Sequence, residues 1–356
     1  MTLSAIHPGK TWLDTDGNRI QAHGGSMFFE NDWFYWYGED KSLTLGEGET
    51  WQDGIWHNGV SCYKSQDLYN WQKMPHLISA DLEDETSPLH PRRQMDRPHI
   101  IKNKKTGKYV CFIKVMGSEH EQQTSILVAD KFEGPYEFAQ RDFKPLGMDA
   151  GDFDLVVDEK TGTAFYVFEK VHTELIVADL TEDYLDVSGK FSSHFVNGYP
   201  PLTREAPAHF ERHGKHYLIT SGTTGYLPNQ SEAAIANDIH GPWQILGDPH
   251  PGDAGHTSFQ SQISCIFKHP HKQDLYIAMA DRWTPESTPK QSRYLEQFFL
   301  KIFRDGIAPG PGNPPPAGGN KPVNTSISEY VWLPITFEGD KPVIAWLDEW
   351  KTEDFE

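Results

Sequence analysis

Five polar residues, His23, Asp96, Asp152, Glu205 and Gln262, each stand directly ahead of a short apolar segment that ends in a turn. Three of them are carboxylic acids. Two carboxyls facing one acetal carbon can hydrolyse it: one protonates the leaving oxygen and the other handles the attacking water, with roughly 6.5–9.5 Å between them when the reaction inverts. Crowded carboxyls also repel, so one is pushed to hold its proton near neutral pH, as a general acid must. A single Asp before a strand is ordinarily a turn or cap residue. A polar residue in the same place five times over is a different signal. Glu39, in Trp36-Tyr-Gly-Glu39, and Asp281, in Ala280-Asp-Arg-Trp283, end the strands that follow the first and last of these positions, and they can join the same ring. Trp36, Tyr37 and Trp283 could stack a sugar face or simply pack in the core.

What must position these residues is a repeat. His23-Gly-Gly-Ser-Met-Phe-Phe-Glu30 leads through Asn31-Asp32 into Trp33–Tyr37. Asp96–Lys102, Asp152–Asp158, Glu205–Glu211 and Gln262–Lys268 open four further copies, each followed by a turn and an aromatic-rich strand. The leading residues are separated by 73, 56, 53 and 57 positions. Turn tips such as Lys105-Thr-Gly107 and His213-Gly214 supply the positive φ of tight hairpins. Third strands follow at Val60–Ser65, Ile126–Asp130, Leu175–Asp179 and Ala233–Asn237, with closing strands expected at Asp67–Trp71, Gly134–Tyr136, Asp183–Leu185 and Gly241–Trp243. Four strands repeated five times predict an all-β five-bladed propeller. Its inner strands would aim the five leading residues into one central pocket. One propeller domain spans residues 1–356, with the Pro/Gly-rich stretch 306–323 as a loop inside the last blade. The hydrophobic periodicity predicts no helix of any length.

The formal charge is −19, from 32 basic and 51 acidic residues. That excludes a basic footprint for nucleic acid or anionic membrane. The expected partner is an oligo- or polysaccharide. Three cysteines, Cys62, Cys111 and Cys265, show no CxxC spacing and read as buried thiols, not a zinc site. No apolar run approaches the ~20 residues that span a bilayer. The first residues have no signal-peptide pattern, so the expected location is cytoplasmic, or secreted or periplasmic if a leader has been removed.

Taken together, Gln21-Ala-His-Gly-Gly25, Trp36-Tyr-Gly-Glu39, Ser65-Gln-Asp-Leu-Tyr-Asn-Trp71, Arg97-Pro98, Arg204-Glu-Ala-Pro-Ala208, Ser261-Gln262, Asp281-Arg-Trp283 and Tyr330-Val-Trp-Leu-Pro334 resemble glycoside hydrolase family 43, in the branch of the exo-β-1,3-galactanases. The resemblance runs through all five repeats. It implies an exo-acting, inverting glycoside hydrolase on galactan. The same family offers α-L-arabinofuranosidase, β-xylosidase and β-galactofuranosidase activities, and a non-catalytic carbohydrate-binding propeller is the reading from another class. Carried over by position, Glu205 matches the general acid and Asp152 the aspartate that orients it and tunes its pKa. Gln262 matches a glutamine standing in place of a normal base. Glu39, Asp281, Asp96, Trp283 and His23 are expected at the substrate. The first repeat has no carboxylate where the wider family carries its base, and Asp96 stands where the galactanase branch usually has Glu. Phe195–Tyr199 lacks a further acidic sugar ligand expected before Arg204. No cofactor is required on this reading, no catalytic metal is expected, and a structural calcium would sit in the central cavity.

Overall fold

The computed structural model describes residues 2–44, 54–117, 121–316 and 323–356. Twenty strands form five sheets of four, each strand paired with the next in sequence. The first blade is β1 (His23–Glu30), β2 (Trp33–Glu39), β3 (Val60–Ser65) and β4 (Gln72–Lys73). The second is β5 (Met95–Lys102), β6 (Tyr109–Met116), β7 (Gln122–Ala129) and β8 (Glu137–Phe143). The third is β9 (Ala150–Val157), β10 (Ala164–Lys170), β11 (Glu174–Leu180) and β12 (Val187–His194). The fourth is β13 (Arg204–Arg212), β14 (Lys215–Gly222), β15 (Glu232–Ala236) and β16 (Gln244–Gly247). The fifth is β17 (Gln262–Lys268), β18 (Tyr276–Arg282), β19 (Glu329–Glu338) and β20 (Lys341–Val343). The chain is a five-bladed β-propeller.

Strand alternation explains how the blades hold together. Successive side chains leave opposite faces of a strand, so each sheet feeds two interfaces. In β2, Trp36 joins Tyr63 and Trp71 against Ile277, Met279 and Trp332 of the fifth blade. Its neighbours Tyr35 and Tyr37 face the second blade, beside Ile100, Tyr109 and Cys111. Trp36 and Tyr37 are therefore core residues, and neither reaches a sugar. Similar clusters fill the remaining three interfaces. Fully burying one such large apolar side chain stabilises the fold by roughly 1.5–3 kcal/mol. The three cysteines are buried free thiols, and burial pushes Cys265 up to about 12.

The ring closes with help from the N-terminal segment. Gly9 and Ile6 donate backbone hydrogen bonds to Tyr330 and Trp350, 2.7 and 2.8 Å long. Trp12 meets Trp36 and Trp332 edge-on, with ring centroids 5.7 and 5.0 Å apart.

Two expectations are corrected. The segments expected as closing strands are turns or irregular links that precede them. Asp67 Oδ1 accepts from the backbone N–H of Tyr69 and Asn70, both at 2.8 Å, and β4 begins at Gln72. Asp183 Oδ1 likewise accepts from Leu185 N–H at 3.1 Å, ahead of β12. A short Asp side chain satisfies turn amides better than it extends a ladder. The second correction is a helix, α1 (Pro289–Phe299), between β18 and β19. Thr288 and Gln291 cap it reciprocally and Pro289 occupies its first turn. The described part of 306–323 follows it and precedes β19 in the fifth blade.

Candidate active site

One device repeats at the inner end of the blades. His23 lies opposite Glu39, Asp96 opposite Lys114, Glu205 opposite Ser221 and Gln262 opposite Asp281. In each of these pairs the register slips within the next three residues. In the third blade the slip falls between Phe168 and Lys170, opposite the segment that carries Asp152. A bulge re-aims the side chain beside it, and Asp96, Asp152, Glu205 and Gln262 turn out of the blade interface. Gly24, Arg97 and Ala206, each directly after a leading residue, have positive φ of 58°, 56° and 47°. For Arg97 and Ala206 this is a costly backbone conformation of the sort found at functional sites. For Gly24 it is also a matter of room, because a Cβ there would collide with Glu39 Oε1.

The bulges open onto a cavity of about 1730 Å³. Glu39, Asp96, Asp152, Glu205, Gln262 and Trp283 line it. His23 and Asp281 do not. They lie beneath it, 0% and 2% exposed. His23 Nδ1 is 2.9 Å from Asp281 Oδ1, whose Oδ2 accepts from Gly24 N–H at 3.0 Å. The expected sugar contacts of these two residues are therefore corrected: the pair braces the β1 bulge and leaves no group facing the cavity. His23 also stacks on Tyr330, centroids 4.8 Å apart.

The carboxyls are held in opposite states. Burial would raise Asp152, but Arg97 and Lys114 outweigh it and hold this carboxyl well below its usual range. Lys114 Nζ is 2.9 Å from Asp152 Oδ1, and Arg97 Nη2 is 3.0 Å from Oδ2. Asp96 is also lowered: burial acts upward, while Lys114 and Lys41 act downward with the Trp56 hydrogen bond. Lys114 Nζ is 3.2 Å from Asp96 Oδ2, and Trp56 Nε1 donates to Oδ1 at 2.8 Å. Glu205 goes the other way. Burial raises it well above 4.5, and the charges of Asp152 and Glu169 add to the effect. Glu39 rises to about 7, chiefly by burial, against the pull of Lys41 2.6 Å away.

Gln262 is the hub. Its Oε1 accepts from Arg97 Nη2 at 2.7 Å and from Trp283 Nε1 at 3.2 Å. Its Nε2 donates to Glu205 Oε1 at 3.2 Å and to Ser221 Oγ at 2.9 Å. Trp283 is thus an amide-holding residue as well as a wall of the cavity.

Sequence reasoning missed several members of the site. Arg97 and Lys114 were open to detection, because they occupy the positions after and opposite Asp96 in the repeat. Glu169 and His172 carried no such signal. His172 Nδ1 is 2.6 Å from Glu169 Oε1. With Glu205 they form the one group of three or more His, Cys, Asp or Glu side chains among the described residues whose ligand atoms lie within 4.8 Å of one another. Calcium takes 6–8 oxygen ligands. This set has an imidazole nitrogen and would occupy the Glu205 carboxyl, so it does not fit the expected calcium.

A model of glycosyl hydrolases family 43 matches residues 27–284. The chain belongs to that family. Among solved structures it is similar to a family 43 β-1,3-galactosidase with 27% identity and a TM-score of 0.78, covering 100% of this chain and 65% of that one. It is similar to an exo-β-1,3-galactanase from Phanerochaete chrysosporium bound to β-1,3-galactotriose, with 26% identity, a TM-score of 0.77 and coverage of 98% and 68%. A second family 43 β-1,3-galactosidase, bound to galactodeoxynojirimycin, shows 26% identity, a TM-score of 0.75 and coverage of 97% and 100%. The chain therefore spans about two thirds of the first two relatives and all of the third. No curated protein sequence matches it. Among the described residues no helix is long and apolar enough to cross a membrane.

Proposed function

We propose that this protein is an exo-acting, inverting glycoside hydrolase that removes galactose from the end of a β-1,3-galactan chain. One observation carries the reading. A carboxyl kept protonated, Glu205, shares a cavity with a carboxylate kept ionised, Asp152, on a family 43 frame. A binder of sugar has no need of a proton donor poised in this way. The galactosyl specificity draws on the named activities of the relatives, and the exo mode draws on the same source.

On this reading Glu205 gives its proton to the glycosidic oxygen as the bond to the anomeric carbon breaks. Asp152 stays charged throughout. Its field keeps Glu205 protonated before the reaction, while Arg97 and Lys114 stop Asp152 from taking the proton itself. Water attacks from the opposite face. Both lone-pair directions of Gln262 Oε1 are already taken by Arg97 and Trp283, so the amide orients and does not accept the proton. Asp96 is the carboxylate we assign to the water. Lys114 and Lys41 keep it ionised and its side chain is 16% exposed, whereas Glu39 is 2% exposed and its pKa is raised to about 7. The test is the product. β-1,3-Galactotriose should yield galactose as the first monosaccharide, released as the α-anomer in a proton NMR time course. Appearance of the β-anomer first, or no release of galactose at all, would overturn the assignment.

A further inference from the structure

The cavity has two unlike sides. Its floor is the polar ring described above. Its outer wall is built by the insertion between β18 and β19, where α1 and the turn after it, Leu300–Arg304, present Leu295, Phe299 and Phe303. Pro314 and Pro315 continue this wall. The wall is firmly made. Phe298 is buried behind it, and Tyr294 Oη donates to Pro314 O at 2.7 Å, tying the helix to the proline segment. Asn313, 2% exposed, reaches back to Phe298 O at 3.4 Å and Ile307 O at 3.3 Å. Yet Phe303 on the same wall is 49% exposed.

A rigid, capped helix that leaves aromatic rings open to a cavity has built a binding face. The cavity supports this. Ordinary small-molecule pockets are ~300–1,000 Å³, and this one is about 1730 Å³, more than one terminal sugar can fill. The groups that would act on a glycosidic bond all lie at the floor. What continues outward from a bond cleaved there is the rest of the saccharide chain, and pyranose rings offer flat C–H faces to aromatic rings.

We propose that the α1 wall is a leaving-group subsite, in which Phe299 and Phe303 stack the sugars that follow the cleaved bond. The proposal rests on the galactan-hydrolase reading and adds which part of the substrate this insertion recognises. The substrate class is then an oligosaccharide of at least three units, not a disaccharide or a small glycoside.

The test compares two substrates that share the galactosyl group and differ in what leaves: β-1,3-galactotriose and β-galactosyl fluoride. In Phe299→Ala/Phe303→Ala, the ratio of kcat/KM for galactotriose to that for the fluoride should fall about 10-fold, mainly through KM for galactotriose. Phe303→Ala alone changes an exposed side chain, so it tests the idea if the double variant fails to fold; a 2- to 4-fold fall is expected. Phe303→Trp should retain or raise the ratio. An unchanged ratio in folded variants overturns the subsite while leaving the proposed function intact. A wild-type protein that releases galactose from neither substrate overturns the proposed function, and the subsite with it.

Discussion

Asp152 and Glu205 occupy the same kind of position in adjacent blades, yet their surroundings differ in one respect. Asp152 receives an ammonium at 2.9 Å and a guanidinium at 3.0 Å. Glu205 receives an amide, at 3.2 Å from Gln262, and has Asp152 and Glu169 as charged neighbours. Both carboxyls are buried, and burial alone raises both. The cations on one side decide the outcome, because an opposite charge in contact outweighs desolvation. A repeated fold thus obtains an acid and a permanent anion from equivalent positions by changing what stands next to each. The cations come from β5 and β6 of the second blade, so the contrast depends on the blades meeting at the axis.

The strongest way to break the contrast is to remove the acid. Glu205→Gln keeps shape and hydrogen bonding but carries no transferable proton. Turnover of β-1,3-galactotriose should fall at least ~10²-fold, the usual size of lost acid catalysis. Activated aryl galactosides, whose leaving groups need little protonation, should lose much less. Equal losses on both substrates would take Glu205 out of the acid role.

Gln262 connects the two sides, since it touches Arg97 and Glu205 at once. Gln262→Ala should lower kcat about 10²-fold with little change in KM, the sign of an interaction made mainly in the transition state. A raised KM with an unaltered kcat would instead make Gln262 a ligand of the bound sugar.

The frame was legible in the residues because a propeller repeats its signals. One leading polar residue, one hairpin and one aromatic strand recur five times, and each copy corroborates the others. The same repetition located Glu205, Asp152 and Gln262 on a common rim. It failed where a residue acts once. His23 and Asp281 share the repeat's register, but their mutual hydrogen bond turns both away from the cavity. No one-dimensional pattern reveals such a pairing across 258 residues. Glu169 reaches Glu205 through a bulge in β10, which the alternation of that strand does not announce. Helix α1 did leave a signal, Thr288-Pro-Lys-Gln291, a capping box with proline in the first turn. It is short and stands amid Pro- and Gly-rich sequence, so periodicity gave it no support.

The charge neighbours of Glu205 can be removed one at a time. A negative neighbour raises a carboxyl pKa, so removing it lowers the pH at which Glu205 loses its proton. Asp152→Asn should move the alkaline limb of kcat/KM to lower pH by about one unit and cost about 10-fold at neutral pH. The effect is enlarged by leaving Arg97 and Lys114 partly unpaired beside Glu205. Glu169→Gln should move the limb the same way by less, because Asp152 is the larger of the two charge effects. If the limb stays in place for both variants while the rate falls at every pH, the two carboxylates hold structure and do not set the proton on Glu205.

The smallest effect concerns stability, and it separates the two carboxyls by sign. The folded-state pKa of Glu205 is raised, so the native chain holds a proton that the unfolded chain has lost. The stability linked to that proton is complete below the ordinary carboxyl range and drains away as pH rises through the raised value. Asp152 is the reverse. Its folded value is depressed, so its contribution is complete above the ordinary range and is lost as pH falls through the depressed value. Glu205→Gln should therefore melt about 2–4 °C above the wild type at pH 9, on the scale of ~1 kcal/mol, with the gap closing toward pH 5. Asp152→Asn should melt below the wild type by a steady margin from neutral pH down to about pH 5, with its deficit shrinking only below the ordinary carboxyl range, about pH 4. Melting curves from about pH 3 to pH 9 for the three proteins read both signs, Glu205 in the alkaline half and Asp152 below the ordinary carboxyl range. Parallel curves with a constant offset would mean that neither proton is linked to folding, and that the opposed states of the two carboxyls do not exist in the free enzyme.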